Sequence, residues 1–193
     1  MKKDIILAGV GGQGILSIAA TIGTAAINRE LYLKQAEVHG MSQRGGDVQS
    51  NLRISDKPIM SDLIPEGKAD VIISVEPMEA LRYLPYLSKD GWIIANTVPF
   101  ENITNYPEME KVINKIKSRK NHVVLDAESI AKDIGSVRAA NMVVLGAAAP
   151  FVGLEYEELE GAIRAIFGRK GEDVVNLNLK ALKAGKDIAI ASQ

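Results

Sequence analysis

Apolar residues along the chain occur in two patterns, and the two patterns alternate. Short apolar runs lie at 5–8, 71–75, 92–95 and 123–125, and only the second is interrupted, by Ser74. Strands that are covered on both faces have this pattern, which is typical of a parallel sheet. Apolar residues recur at helical spacing over 14–28, 77–84, 109–116, 127–133, 138–149, 157–167 and 173–183. The alternation predicts an α/β fold: a Rossmann-like, mostly parallel sheet with helices on both faces and a helical C-terminal third.

The segment between the first helix and the second buried run has a different pattern. A short strand is predicted at 32–36. Apolar and polar residues alternate over 48–54, which predicts a half-buried strand with one polar face. The stretch 36–48 is too rich in glycine for the interior of a helix or strand. We expect residues 1–193 to form a single domain.

Composition and charge exclude several classes of protein. The chain has 23 Lys and Arg against 24 Asp and Glu, and a net charge of −1 gives no indication of a nucleic-acid surface. It has no cysteine, which excludes disulfides, thiolate zinc, a cysteine nucleophile and an iron–sulfur cluster held by its own thiolates. No apolar stretch approaches the ~20 residues of a membrane span, and the N-terminus lacks a signal-peptide pattern. We expect a cytoplasmic protein without membrane or nucleic-acid partners.

The candidate chemistry begins in the first fourteen residues. A glycine-rich turn joins the first strand to the first helix, and it contains Gly9, Gly11, Gly12, Gln13 and Gly14. Strand, glycine turn and helix in this order form the context in which G-x-G-x-x-G indicates binding. Glycine lets backbone N–H groups approach a ligand, and the helix N-terminus adds about half a positive charge. The turn suits a phosphate, a carboxylate or a partner's backbone, and a tight turn without any ligand is the alternative.

Two nucleotide-binding interpretations of this turn make further demands on the sequence. A dinucleotide site needs an acid about 20 residues on, to hold the ribose. Glu37 lies roughly there, but it opens a glycine-rich stretch instead of closing a plain strand. An ATP-binding, adenylating enzyme usually needs a set of arginines and often zinc cysteines, and cysteine is absent.

A second candidate site lies at 37–46. Its residues Gln43, Arg44, Gly45 and Gly46 can place a guanidinium and an amide beside exposed backbone N–H groups. That combination suits a carboxylate or another anion. A surface loop without a ligand is the alternative.

Histidine gives little support for a metal site. The chain has two, His39 and His122, and they are far apart in sequence. We expect no metal, and we expect His39 to be a hydrogen-bonded loop residue rather than a base or a ligand.

Two further pairs of residues have both a structural and a functional interpretation. Asp126 and Glu128 flank a strand end and resemble paired carboxylates, but a helix cap is favoured because acids stabilise a helix's first turn. Asn141 and Met142 lead into the small residues 146–149, which predicts either an interface or a tight internal helix contact. No Ser/His/Asp set is evident, so we expect no catalytic residue in this chain.

Three motifs together resemble a known family. They are G-V-G-G-Q-G at 9–14, S-Q-R-G-G at 42–46 and N-M-V-V-L-G-A at 141–147. In length and motif order, nearly the whole chain resembles the gamma-type subunit of 2-oxoacid:ferredoxin oxidoreductases. The fuller form E-V-H-G-M-S-Q-R-G-G at 37–46 is most similar to the small (beta) subunit of indolepyruvate:ferredoxin oxidoreductase.

The resemblance implies a heteromeric oxidoreductase of anaerobic metabolism. Such enzymes decarboxylate a 2-oxo acid, here indolepyruvate or another aryl pyruvate, with coenzyme A as co-substrate, and yield an acyl-CoA and reduced ferredoxin. Thiamine diphosphate, Mg and the iron–sulfur clusters belong to a larger partner subunit, and ferredoxin is reached through the complex. This chain would bind no cofactor alone and would not be active alone, which agrees with its lack of cysteine.

The residues and the resemblance lead to one hypothesis about the site. Residues 9–14 and 43–46 would form one surface at the carboxyl ends of the parallel strands, where ligands of such sheets bind. This surface would meet the large subunit or help to hold coenzyme A. The alternatives are a free-standing NAD(P)-binding oxidoreductase with Glu37 as the ribose acid, and a non-enzymatic interaction module.

Overall fold

A computed structural model of the chain describes residues 1–39, 46–101 and 103–192. The strands are β1 (Lys2–Val10), β2 (Tyr32–His39), β3 (Asp47–Ser55), β4 (Ala69–Ser74), β5 (Leu87–Asn96) and β6 (His122–Leu125). The helices are α1 (Ile15–Asn28), α2 (Pro77–Arg82), α3 (Met109–Lys117), α4 (Ala127–Ile134), α5 (Ala140–Ala148), α6 (Tyr156–Phe167) and α7 (Glu172–Ala191). Every helix and strand predicted above is present. Within the described ranges, no helix has the length and apolar character needed to cross a membrane.

The strands form a six-stranded sheet in the order β2-β3-β1-β4-β5-β6. Strands β1, β4, β5 and β6 pair in parallel, as strands joined by crossover helices do. β3 is antiparallel to both β1 and β2 and lies between them. The predicted Rossmann-like, mostly parallel sheet is confirmed, with one reversed strand inserted beside the first.

Two apolar cores lie on opposite faces of the sheet. One contains Ile5, Leu52 and Ile73 of the sheet together with residues of α1 and of α4 to α7. The other contains Ile6 and Ile72 together with residues of α2 and α3. Because successive residues of a strand point to opposite faces, the continuous apolar runs fill both cores. Helices on both faces and a helical C-terminal third are confirmed.

The polar face of β3 is buried at Asn51 and Arg53, which corrects the prediction that this strand is half-buried. Arg53 is 8% exposed, and its Nε lies 2.7 Å from Asp4 Oδ1. Its Nη1 donates to the carbonyl oxygens of Ser61 and Leu63, both at 2.9 Å. The loop after β3 therefore folds back over this face, and the buried charge is tolerated because it is paired. Alternation along a strand cannot reveal a loop that returns to cover its polar residues.

Helices α5 and α7 touch through their backbones, and this contact is here called the helix seam. A Cβ added at Gly146 would lie 2.0 Å from Leu182 O, and one added at Gly185 would lie 1.9 Å from Val143 O. No side chain fits at either position without separating the helices. The small residues at 146–149 therefore serve a tight internal helix contact, one of the two interpretations that the sequence left open.

Several strands extend beyond their predicted bounds, and so does α7. β2 continues to His39, which corrects the prediction that the glycine-rich stretch from residue 36 lies outside any strand. β5 begins at Leu87, because the backbone stays extended where Lys89 and Asp90 interrupt the apolar run. α7 continues to Ala191. Gly185 is of a type favoured at helix ends, but here it lies inside the helix because the seam requires it.

Candidate functional site

The glycine loop, residues 9–14, joins β1 to α1. β1 ends at Val10 and α1 begins at Ile15, so the predicted order of strand, glycine turn and helix is confirmed. Gln13 closes the turn from within, since its Oε1 accepts a hydrogen bond from Val10 N at 2.8 Å. Gly14 is the N-cap of α1, where no side chain of the described residues caps the helix and no acid lies in the first turn. The positive end of α1 is thus left for solvent or a ligand.

Three glycines of the loop are required for different physical reasons. A Cβ at Gly9 would lie 2.4 Å from Val75 Cγ2, and one at Gly14 would lie 2.7 Å from Asn141 Nδ2. Gly12 has nothing within 4 Å of such a Cβ, but its φ is +102°, a conformation that L side chains rarely adopt. The loop is therefore held by neighbours at both ends and is open in the middle.

The two predicted motifs meet at one hydrogen bond. Gly11 N donates to Gly46 O at 3.0 Å, and Gly46 directly precedes β3. Gln43, Arg44 and Gly45 lie outside the described residues. The structure therefore brings the glycine loop together with the last residue of the second motif.

A cavity of about 380 Å³, here called the edge cleft, opens beside the glycine loop. It lies at the carboxyl ends of the parallel strands, where ligands of open α/β sheets bind. Its polar lining includes Gly12, Gln13, Gly14, Ser17, Asn96, Glu128, Arg138 and Asn141. The Arg138 guanidinium and the positive end of α1 favour an anion there, whereas Glu128 opposes one.

Two asparagines support the edge cleft. Asn96 is 3% exposed; its Nδ2 donates to Val75 O at 3.2 Å and its Oδ1 accepts from Ala127 N at 3.0 Å. It thereby ties the residue after β4 to the start of α4. Asn141 Nδ2 donates to Gly14 O at 3.2 Å and so fastens α5 to the glycine loop. Neither role is predicted from the sequence, although a polar residue directly after a buried apolar run, as at Asn96, is a usable signal.

A buried carboxylate fastens the loop that follows β5. Glu76 is fully buried and is the N-cap of α2, where its Oε2 accepts from Glu79 N at 2.9 Å. Its Oε1 accepts from the Tyr106 hydroxyl, and from Phe100 N at 3.4 Å. Pro77 takes the first position of α2, as predicted. The sequence does not predict that Glu76 joins these three segments.

Burial dominates the titration of two groups beside Glu76. It raises the pKa of the Tyr106 hydroxyl above the ordinary tyrosine range, and the hydrogen bond to Glu76 acts in the same direction. Burial also raises the pKa of the Glu79 carboxyl, and Arg82, with its Nε at 2.7 Å from Glu79 Oε2, opposes that effect. Both groups therefore hold their protons more tightly than they would in water.

The structure places Glu37 differently from the ribose acid of a dinucleotide site. That acid follows the glycine loop by about 20 residues, in the βαβ unit that binds the dinucleotide. Here Glu37 lies on β2, and β3 separates β2 from β1. Glu37 lines a second cavity of about 380 Å³, together with Gly11 and Ile15. The strand order therefore departs from the dinucleotide pattern at this residue.

The remaining candidates are spread over both ends of the sheet. His39 is the last residue of β2, so the prediction that it lies in a loop is wrong. His122 begins β6, with its Nδ1 at 2.8 Å from Arg119 O. Asp126 is the N-cap of α4, where its Oδ1 accepts from Ser129 N at 2.9 Å, so the predicted helix cap is confirmed. In the part of the chain that the structure describes, no three His, Cys, Asp or Glu side chains are grouped as a metal site requires.

Comparison with known sequences gives a match over almost the whole chain. The family model for pyruvate ferredoxin/flavodoxin oxidoreductase matches residues 4–188. Indolepyruvate oxidoreductase subunit IorB of Archaeoglobus fulgidus is 40% identical over 202 residues, which cover 100% of this chain and 98% of that relative.

Comparison with solved structures gives the same fold. The gamma subunit of the keto/oxoacid ferredoxin oxidoreductase of Geobacter sulfurreducens has a TM-score of 0.70 and 25% identity, covering 98% of this chain and 99% of that chain. The 2-oxoglutarate:ferredoxin oxidoreductase of Magnetococcus marinus, solved with 2-oxoglutarate, coenzyme A and succinyl-CoA bound, has a TM-score of 0.79 and 23% identity. The match covers 98% of this chain and 31% of that longer one.

Proposed function

The chain belongs to the pyruvate ferredoxin/flavodoxin oxidoreductase family. We propose that the end of its sheet that carries the glycine loop and the edge cleft, here called the glycine-loop edge, contributes to the active site of a larger partner subunit. The chain is a small subunit of a 2-oxoacid:ferredoxin oxidoreductase and resembles subunit IorB. The observation that carries the proposal is the hydrogen bond from Gly11 to Gly46. It joins the two motifs of the chain beside an uncapped helix N-terminus and an open cleft.

The proposed reaction is the oxidative decarboxylation of an aryl pyruvate, and indolepyruvate is the first substrate to test. The 2-oxo acid loses its carboxylate as CO₂, and its acyl carbon forms a bond to the sulfur of coenzyme A. One proton is released, and two electrons pass one at a time to ferredoxin. The choice of an aryl substrate is supported by the name of the relative IorB, which matches this chain over its full length.

The proposed division of labour leaves the redox chemistry to the partner. This chain has no cysteine to hold a cluster, so the iron–sulfur clusters are assigned to the larger subunit. Thiamine diphosphate and Mg are assigned there too, as the family resemblance implies. Thiamine diphosphate, when bound there, stabilises carbanions. The residues of this chain bind and orient coenzyme A or the partner subunit. We place the complex in the cytoplasm.

The edge cleft has the chemistry to hold an anionic part of coenzyme A. Backbone N–H groups at the start of α1 and the Arg138 guanidinium are suitable partners for phosphate oxygens. The open space around Gly12 lets a ligand approach the backbone. Arg44, on the segment that leads to Gly46, is the further cation assigned to this surface.

The test replaces Arg44 by Ala in the complex reconstituted with its large subunit. We expect either the dissociation constant of the complex or the KM for coenzyme A to rise about tenfold or more, because one charge-assisted contact is lost. The matched control is Arg169→Ala, which removes an exposed arginine far along the chain and should change neither quantity.

The readouts separate the two versions of the proposal. A raised KM for coenzyme A with intact assembly would assign the surface to coenzyme A, and weakened assembly would assign it to the partner. If Arg44→Ala behaves like Arg169→Ala in both assays, the proposal is wrong.

A further inference from the structure

The two edges of the sheet are protected to very different degrees. β6 has four residues, whereas β2 has eight. Tyr32 and Val38 on β2 are 50% and 53% exposed. Proteins usually blunt edge strands by shortness, charge or cover, because an open edge pairs with other chains. A long edge that carries exposed aromatic and β-branched side chains is therefore a candidate for pairing.

The charge that would normally block this edge is neutralised. Tyr32, Lys34, Ala36 and Val38 share one face of β2, because strand residues alternate between faces. Lys34 Nζ lies 3.0 Å from Asp62 Oδ1, on the loop that folds back over β3. The charge of the lysine is thus paired within its own chain and does not oppose pairing of the edge strand with another strand. Leu63, beside Asp62, is 57% exposed and adds apolar surface there.

We propose that β2 pairs antiparallel with β2 of a second copy of this chain, with Gln35 on the two-fold axis. In this register Tyr32 lies opposite Val38 of the other copy, and the symmetry forms that pair twice. An aromatic residue opposite a β-branched one is a favourable cross-strand pair. Lys34 lies opposite Ala36, so no like charges face each other.

Other registers of the same pairing are less favourable. Centring the axis on Ala36 would place Val38 opposite Lys34 and leave Tyr32 without an opposite residue in the strand. A shift by a single residue would place side chains of opposite faces across from each other. The self-complementary register is therefore specified by the sequence of β2, as an isologous two-fold contact requires.

The proposed dimer leaves the glycine-loop edges free. Antiparallel pairing directs the carboxyl ends of the two sets of parallel strands to opposite ends of a continuous sheet. Each copy therefore keeps its own edge cleft open, and the dimer does not depend on what the cleft binds. Failure of one proposal leaves the other standing.

A charge-exchange experiment tests the register. Sedimentation velocity should show a dimer for the full chain. Tyr32→Lys and Val38→Glu should each raise the dimer dissociation constant about tenfold or more, since each removes two cross-strand pairs. The double variant should restore the dimer, because it places opposite charges across both pairs. The matched control is Ile190→Lys on α7, where the side chain is 57% exposed, and it should have no effect.

A second measurement uses the absence of cysteine in the chain. Gln35→Cys places one thiol on the two-fold axis and should give a disulfide-linked dimer under mild oxidation, whereas Ile190→Cys should not. A chain that is monomeric both alone and in the complex would overturn the proposal. A dimer that the single charge variants leave intact would also overturn it. The same holds if the single variants weaken binding of the large subunit but leave the dimer dissociation constant unchanged.

Discussion

The helix seam and the glycine loop both depend on glycine, but for opposite reasons. At the seam, Gly185 is needed because no space exists for a Cβ, which would lie 1.9 Å from a backbone oxygen. At the loop, Gly12 is needed although space is plentiful, because its φ of +102° excludes most side chains.

The difference separates stability from function within one chain. A filled contact between two helices contributes packing and hydrophobic free energy and leaves nothing for a ligand. An open loop with an uncapped helix N-terminus contributes little packing, but it can be filled by another molecule. Substitutions in the two regions should therefore change different observables.

The largest effect is expected at the seam. Gly185→Ala must separate α5 from α7 or distort them, and we expect a loss of about 3 kcal/mol or more in the free energy of unfolding. Urea unfolding followed by circular dichroism measures it.

The control for this prediction is another helical glycine. Gly161 lies in α6, and a Cβ there meets nothing within 4 Å. Gly161→Ala should be neutral or should stabilise by about 0.5–1 kcal/mol, since alanine is the better helix former. A similar loss in both variants would mean that the seam is not close-packed.

A smaller effect on stability is expected at the loop. Gly12→Ala should cost about 1–2 kcal/mol, the strain of a left-handed conformation without a steric clash. It should also lower the coenzyme A-dependent rate of the reconstituted complex, whereas Gly161→Ala should not. A loss of stability as large as that of Gly185→Ala would contradict the contrast between the two regions.

The smallest effect concerns the hydroxyl that fastens the loop after β5. Tyr106→Phe removes a hydrogen bond to Glu76 and should cost about 1 kcal/mol at neutral pH. The folded-state pKa of Tyr106 is raised above its ordinary value. The contribution is therefore fully present below about pH 10 and is lost as the pH rises through the folded-state pKa.

Urea midpoints on both sides of about pH 10 check the sign of this effect. The wild-type chain should lose more stability with rising pH than Tyr106→Phe does. Tyr83, whose pKa is also raised by burial, should account for part of the dependence that remains. An equal loss in both chains would show that the hydroxyl is not buried.

Local patterns in the sequence account for most of the fold. Continuous apolar runs predict the buried strands, and helical spacing predicts the helices, because each signal lies within one element. The position of β3 between β1 and β2 is not predictable in this way, since strand order depends on contacts between distant segments. The same holds for the pairing of Asp4 with Arg53, which is buried because the loop after β3 folds back over it.

The candidate site is predictable only in part. The glycine loop is found because strand, turn and helix follow each other without interruption. Asn96 is not found, since its two hydrogen bonds join the ends of different strands and helices. Glu76 is not found either, because a carboxylate after a strand has the same local pattern whether it is buried or solvated. A polar residue directly after a buried apolar run can mark such a position, but one sequence does not reveal its hydrogen-bond partners.

The place of β1 in the sheet also constrains the order in which the chain can fold. β1 is translated first, yet its neighbours β3 and β4 are complete only at Ser55 and Ser74. Ile5 of this strand shares its core with Leu182 of α7. The larger core therefore cannot close until both of these distant segments of the chain have been made.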